Sequence, residues 1–167
     1  MPPEIAALSY ANNFKWAESK GEDRYRRGMY TFFKRTAPYP DLMTFDCPDA
    51  NLTNVRRTVS NTPLQALTTL NAGTFAEAAL ALGKRIASLE PLAGGDPERL
   101  VELFHSVLLR KPRPAELEAL GRLLSDARAT FRADTEAATK LAGSAESAAW
   151  TTVARTLLNT DEFITRD

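Results

Sequence analysis

From residue 62 to the end, apolar residues recur at steps of three and four, the spacing that gathers them on one side of a helix; before residue 62 they cluster without a period. The first helical start lies within 60–70, with Thr62 as N-cap, Pro63 at the first helical position and Gln65 completing a capping box. Leu64, Leu67 and Leu70 predict an apolar edge on this short helix, which ends near Asn71. Thr74 and Glu77 repeat the capping-box spacing and predict a second helix with Phe75, Ala78, Ala79, Leu82, Ile86 and Leu89 on its buried face. After the PLAGGDP break at 91–97, Asp96 as cap and Pro97 as first residue predict a helix carrying Leu100, Leu103, Phe104, Val107 and Leu108, ended by 111–114. Leu117, Leu120, Leu124, Ala127 and Phe131 then form one continuous stripe, expected to pack on the preceding helix. The Ala- and Thr-rich stretch 133–143 reads as a mobile helix end or connection closing at Gly143. Ser144 caps a last helix presenting Trp150, Val153, Leu157 and Leu158, which Asn159 stops before Phe163 and Ile164 fold back.

The part before residue 62 follows other rules. Residues 1–23 are polar and mixed, a loosely ordered lead-in whose Tyr10, Phe14 and Trp16 are expected to dock on something, because three aromatics are costly to leave in water. The run MYTFF at 29–33 is rich in β-branched and aromatic residues and reads either as one short strand or as an extended segment lying on helices. Pro38, Pro40 and Pro48, interleaved with Asp41, Asp46 and Asp49, predict a run of turns. The expected fold class is mainly α: an irregular bundle of about five helices with an N-terminal extended, loop-rich segment. Residues 24–167 are expected to form one helical domain, of which 24–61 is extended and turn-rich and 62–167 helical.

Composition narrows the class of protein without naming a reaction. The 167 residues are 44% hydrophobic and 25% charged with a formal net charge of zero. That balance fits an ordinary globular chain and implies neither nucleic acid nor bilayer as a general partner. No run of about 18 apolar residues predicts a membrane span. The opening MPPEIAALSYANNF has no basic region leading into an apolar one, so an export signal is not expected in it. Cys47 is the one cysteine, so neither an internal disulfide nor a CxxCH haem-attachment motif is available.

The blocks RYRRGMYTFFKRTAPYP, MTFDCPDAN and VRRTVSNTPLQALTTLN resemble the central signature of the planctomycete-type domain-of-unknown-function family numbered 1553, and LLNTDEF resembles its closing segment. The resemblance covers the C-terminal part of such proteins, roughly from Gly21 onward, with Thr62, Pro63, Gln65 and Asn71 as signature positions. It implies a module at the C-terminal end of a larger, exported protein, hence an extracytoplasmic setting, and any c-type haem in an upstream module rather than on this chain. The implied partner is an upstream domain of the same parent protein or another protein. Where the family has Asp-Pro after the TPLQAL helix, this chain has Ala72 and Gly73, which touches the capping of the next helix.

Two clusters carry candidate chemistry. Arg24, Arg26, Arg27, Lys34, Arg35, Arg56 and Arg57 against Asp41, Asp46 and Asp49 give 7 − 3 = +4 over 24–57, with Tyr25, Tyr30, Phe32, Phe33 and Tyr39 interleaved. Charge and stacking together suit a polyanion or a polysaccharide; alternatively the arginines pair with the local aspartates and lay their stems over the aromatics. The binding candidates are Arg26, Arg27, Lys34, Arg35, Asp46, Asp49, Arg56 and Arg57, centred between the Asp41–Asp49 turns and the Arg56–Arg57 pair. The aspartate spacings of five and three match no metal-ligand loop, so these carboxylates read as caps of backbone N–H groups. His105 is the one histidine and reads as a surface residue, Cys47 as a small, partly buried one. The reading is a non-catalytic structural and interaction module, the alternative being part of an enzyme or carbohydrate site completed by an upstream domain.

Overall fold

Helices form where apolar residues recur at helical spacing, and no strand is found among the described residues, which are 19–34, 38–48, 51–56, 58–89 and 95–165 of a computed structural model. The fold is mainly α. Two compact units, Met1–Ser60 and Asn61–Asp167, are described separately. Eight helices are present among the described residues where about five are expected: α1 Pro40–Thr44, α2 Pro63–Asn71, α3 Gly73–Ser88, α4 Asp96–Leu108, α5 Pro114–Ala133, α6 Thr135–Ala142, α7 Ala145–Leu157 and α8 Asp161–Ile164. The additional ones are α1, α6 and α8. Tyr10, Phe14 and Trp16 lie outside the described residues.

In the first unit, of the two readings of 29–33, the short strand is not formed. A 3-10 turn, Gly21–Tyr25, precedes it, a second, Gly28–Tyr30, takes its beginning, and Thr31 is extended without a pairing strand. The reason is local, since a strand needs a ladder partner. Gly28 instead lies so close to Leu42 of α1 that an added Cβ would stand 2.7 Å from a Leu42 methyl. Leu42 also accepts the amide of Cys47 through its carbonyl at 2.9 Å.

The second unit is built on α7. Ala148, Ala149, Trp150, Thr151, Val153, Ala154 and Leu157 are all buried, and a helix buried on nearly every side is a core element rather than a surface one. α3 covers one side of it, α5 another and α6 a third, while Leu100, Leu103, Phe104 and Val107 of α4 complete the core. The stripe of α5 is buried as expected at Leu120, Leu124 and Ala127, but its chief partner is α7 rather than α4.

Three local expectations change. α3 starts at Gly73, not behind a Thr74 cap, because the single extended residue Ala72 serves both as the end of α2 and the start of α3. α4 begins one residue early: Gly95, at φ +68°, takes the cap position and Asp96 becomes the first helical residue. Residues 133–143 are not a mobile end but a regular helix, capped by the Asp134 carboxylate, which accepts the Ala137 amide at 2.9 Å. Gly143, in the left-handed region, closes it. Its Ala138 and Ala142 are buried against Ala148.

α3 and α7 approach each other closely at Gly83. Gly83 is buried, and a Cβ placed there would fall 2.5 Å from the Thr151 backbone nitrogen and 2.6 Å from its Cα. Backbone cannot yield as a flexible side chain does, so the helices would have to separate. Gly83→Ala is expected to destabilise the chain by about 3 kcal/mol and to lower the melting temperature by roughly 6–12 °C. A thermal melt within about 2 °C of the parent would show that α3 and α7 have room to part.

Candidate functional site

The candidate binding residues all belong to the first unit, and of the described ones Arg26, Arg27 and Arg56 are exposed. Arg26 pairs with Asp23 at 2.6 Å, the two side chains being 62% and 61% exposed. At such exposure an ion pair contributes little. The Arg27 guanidinium lies over the Tyr30 ring at 5.9 Å and that of Arg24 over Tyr25 at 5.7 Å. Tyr25 and Tyr30 are nevertheless 65% and 58% exposed, so the arginines stack without shielding the rings. Lys34 is half-buried and Arg56 exposed; Arg35, Asp49 and Arg57 lie outside the described residues.

The Asp46 carboxylate accepts the Ser60 amide at 2.8 Å and the Ser60 hydroxyl at 2.9 and 3.0 Å, which ties residue 46 to residue 60. Asp46 lies in the left-handed region, with φ 58°. Asp adopts that conformation more readily than most residues. Burial first, and then the charge and hydrogen bond of Asp41, push the Tyr39 phenol above its ordinary value, making it a poorer proton donor. Among the described residues no group of three or more His, Cys, Asp or Glu side chains could hold a metal ion. His105 is exposed in the last turn of α4, and Cys47 is half-buried with its thiol 3.7 Å from the Pro48 carbonyl. This arrangement is suited to holding an anion beside aromatic faces.

The signature helix α2 begins the second unit as expected. The Thr62 hydroxyl caps it, accepting the Gln65 amide at 3.3 Å, while Gln65 Oε1 accepts the Thr62 amide at 2.9 Å. Pro63 occupies the first helical position, completing the capping box read from the sequence. Asn71 donates to the Leu67 carbonyl at 2.9 Å near the helix end. The apolar edge faces the core only in part: Leu70 is half-buried and Gln65 and Thr69 are buried, whereas Leu64 and Leu67 are 59% and 56% exposed. Thr69 faces the side-chain amide of Asn159, Arg155 donates to the Leu70 carbonyl, and the Phe75 and Phe163 rings meet edge to face at 6.5 Å. The fold thus brings the end of α2 and the start of α3 to the LLNTDEF block.

The comparison that decides the family covers residues 3–124, which match the model described as protein of unknown function (DUF1553). The chain belongs to the DUF1553 family. The match takes in the arginine-rich turns and all of α2, α3 and α4, and it ends within α5, so LLNTDEF lies beyond it. No curated protein matches the chain, and no solved structure matches it.

In this DUF1553 chain two arginine-centred clusters escaped the sequence reading. Arg128 of α5 forks onto Asp96 of α4 and Glu146 of α7, with Nε 2.9 Å from Glu146 Oε2, and stands over the Trp150 ring at 5.9 Å. Arg110 donates at 2.7–2.9 Å to Glu116 of α5 and at 2.7 Å to Glu162 of α8, with its guanidinium 4.8 Å from the Phe104 ring. The paired residues are 32, 18, 52 and 6 positions apart. At such distances no periodicity signals a contact. These clusters join helices, spending their donors on carboxylates of neighbouring elements.

Arg110, and after it the Arg113 amide, hold the Glu116 carboxyl at about 2, from an ordinary 4.5. Hydrogen bonds from Arg128 lower Asp96 and Glu146, and those from Arg110 lower Glu162. A carboxyl whose folded value is depressed stabilises the fold above its unfolded value and loses that contribution as pH falls through the folded one. Urea midpoints are therefore expected to stay level from pH 7 to about 5 and to fall between about 4.5 and 2, with Glu116→Gln showing a shallower fall. Parallel curves for variant and parent would remove Glu116 from the account. Thr69→Val keeps the shape but withdraws the hydroxyl from Asn159 and should cost about 1 kcal/mol in urea unfolding; an unchanged midpoint would show that this contact does not fasten α2.

Proposed function

We propose that this chain is a non-catalytic structural and interaction module of a larger protein. The observation that supports this reading most is the inverted helix α2. A helix on the surface of a self-sufficient domain turns its leucines inward, whereas α2 buries Gln65 and Thr69 and holds Leu64 and Leu67 more than half exposed. The inward side is satisfied by its own hydrogen bonds, so the leucine edge is available to a second surface. The partner is an upstream domain of the same parent protein or another protein, and any c-type haem belongs to such a module rather than to this chain. No described helix is long and apolar enough to cross a membrane.

A second reading, a polysaccharide or polyanion site, draws support from the exposed arginine–tyrosine stacks of the first unit. The two readings use different surfaces.

Hydroxyl-radical footprinting tests the first. Leu64 and Leu67 are expected to be labelled severalfold less in the parent protein than in this chain alone, while exposed Leu109 and Leu141 change little. Equal labelling of Leu64 and Leu67 in both would leave the α2 edge bare in the assembled protein and overturn the reading.

A further inference from the structure

We propose that Asn51 is a modification site, an asparagine whose side-chain amide accepts an N-linked oligosaccharide and which is recognised through the Thr53 hydroxyl. Asn51, Leu52 and Thr53 form the run Asn-x-Thr with a residue other than proline in the middle, the pattern that oligosaccharyltransferases accept. Of the seven asparagines in the chain, this is the one followed two positions later by Ser or Thr. The inference rests on export of the parent protein and is independent of the α2 edge and of the arginine–tyrosine turns.

The first support is access. Residues 51–56 are all exposed, and none of them belongs to a helix or strand. The Asp46 carboxylate accepts the Ser60 amide at 2.8 Å, so these residues are carried on a surface loop whose two sides are tied together. A saccharide is bulky and strongly hydrated, and it needs solvent around the side chain that bears it. The acceptor amide need not be unbonded in the folded chain, because a transferase supplies its own contacts to it; what the fold must supply is room for the product. Asn71 and Asn159, by contrast, serve the fold: Asn71 donates to the Leu67 carbonyl at 2.9 Å, and Asn159 is half-buried against Thr69.

The second support is the Thr53 hydroxyl. An amide nitrogen is a poor nucleophile, its lone pair being shared with the carbonyl, so transfer depends on an enzyme that also holds the acceptor through the hydroxyl two residues on. Thr44, Thr68 and Thr139 turn their hydroxyls back onto the carbonyl four residues earlier, at 3.1, 2.8 and 2.8 Å. Thr53 lies outside any helix and has no such carbonyl to reach. Its side chain is exposed, and its hydroxyl makes no hydrogen bond among the described residues.

The reaction is a glycosyl transfer from a polyprenyl-diphosphate-linked oligosaccharide. Asn51 Nδ2 forms a bond to the anomeric carbon of the saccharide, the bond from that carbon to the diphosphate oxygen breaks, and the lipid diphosphate leaves with the electron pair. One amide proton passes to a base of the transferase, and nothing is oxidised or reduced. A glycan at this position also sets a hydrated group on the loop that leaves Leu52 and Val55, 78% and 102% exposed, in water.

Mass spectrometry of the parent protein from its own cells tests this. Trypsin releases residues 36–56 as one peptide, which is expected to carry an added oligosaccharide mass that fragmentation places on Asn51. The whole chain, incubated with a purified oligosaccharyltransferase and a polyprenyl-diphosphate-linked oligosaccharide, should gain a single such mass. Asn51→Gln should abolish the transfer, Thr53→Ala and Leu52→Pro should lower it at least about tenfold, and Thr53→Ser should retain most of it. All four variants should keep the parent's melting temperature, because these side chains are exposed. A bare Asn51 in the parent protein, a sugar on a threonine of the peptide instead, or transfer unaffected by Thr53→Ala would overturn the proposal. Where Asn51 is bare in cells, transfer to the isolated chain assigns the failure to export, and absence of transfer assigns it to the loop. None of these outcomes depends on whether Leu64 and Leu67 are covered in the parent protein.

Discussion

The helical unit depends on how closely α3 can lie against α7. Gly83 permits contact with the backbone of Thr151 itself, and Ala79 and Ala148 are likewise small and fully buried. Close approach of two backbones is useful because dispersion falls steeply with distance, and a gap of even a fraction of an ångström forfeits much of it. Thr151 and Arg155 are four residues apart and share a face of α7, so the face that meets Gly83 also carries the guanidinium that satisfies the Leu70 carbonyl at the end of α2. The position of α2, with Leu64 and Leu67 outward, follows from the spacing of α3 and α7.

The remaining faces of α7 are held by side-chain volume and charge. Trp150 is fully buried, and its indole N–H donates to Glu146 at 2.8 Å, the same carboxylate that Arg128 grips. One carboxylate therefore satisfies the polar atom of the largest core side chain and fixes the arginine that reaches Asp96 on α4. Such a network is fully connected or costly, since leaving any partner unpaired near the core exposes a desolvated group. Arg110 does the equivalent work for α5 and α8, and with Phe104 beneath it the guanidinium also covers apolar surface. Both clusters join elements distant in sequence, which is how a unit made of short helices is fastened at its periphery.

What was legible in the sequence is what is local. The capping box at Thr62 and Gln65, the Ser144 cap and the stripe of α5 each need only neighbours within one or two turns, and the chain carries them in plain spacing. The inward face of α2 was not legible, because Thr69 is buried by a partner 90 positions away and its hydrogen bond there outweighs the apolar preference of Leu64 and Leu67. α6 was missed because alanine and threonine give almost no periodic contrast, although Ala138 and Ala142 are core residues. Of the two readings of 29–33, the strand is not realised for want of a pairing partner, and Thr31 is extended. Gly83 offered a readable signal: a glycine within a helical pattern costs about 1 kcal/mol against alanine and calls for a packing reason.

The first unit is organised on a different principle from the second. No residue within its described helical turns is buried, and Tyr25, Met29, Tyr30 and Phe32 are more than half exposed. Its order comes from a few pins: Gly28 against Leu42, the Cys47 amide on the Leu42 carbonyl, and Asp46 clasping Ser60 across 14 positions. Leu42 serves two of these at once, so the arginine–tyrosine turns and the corner at Asp46 are referred to one residue. A closed loop held by one carboxylate–serine clasp restricts the chain at an entropic cost that rises only slowly with loop length. Pins of this kind fix a backbone without burying its side chains, and a segment stabilised in that way keeps its aromatics and arginines on the surface. The exposure of Arg26, Arg27 and Arg56 is in keeping with a unit held in this way.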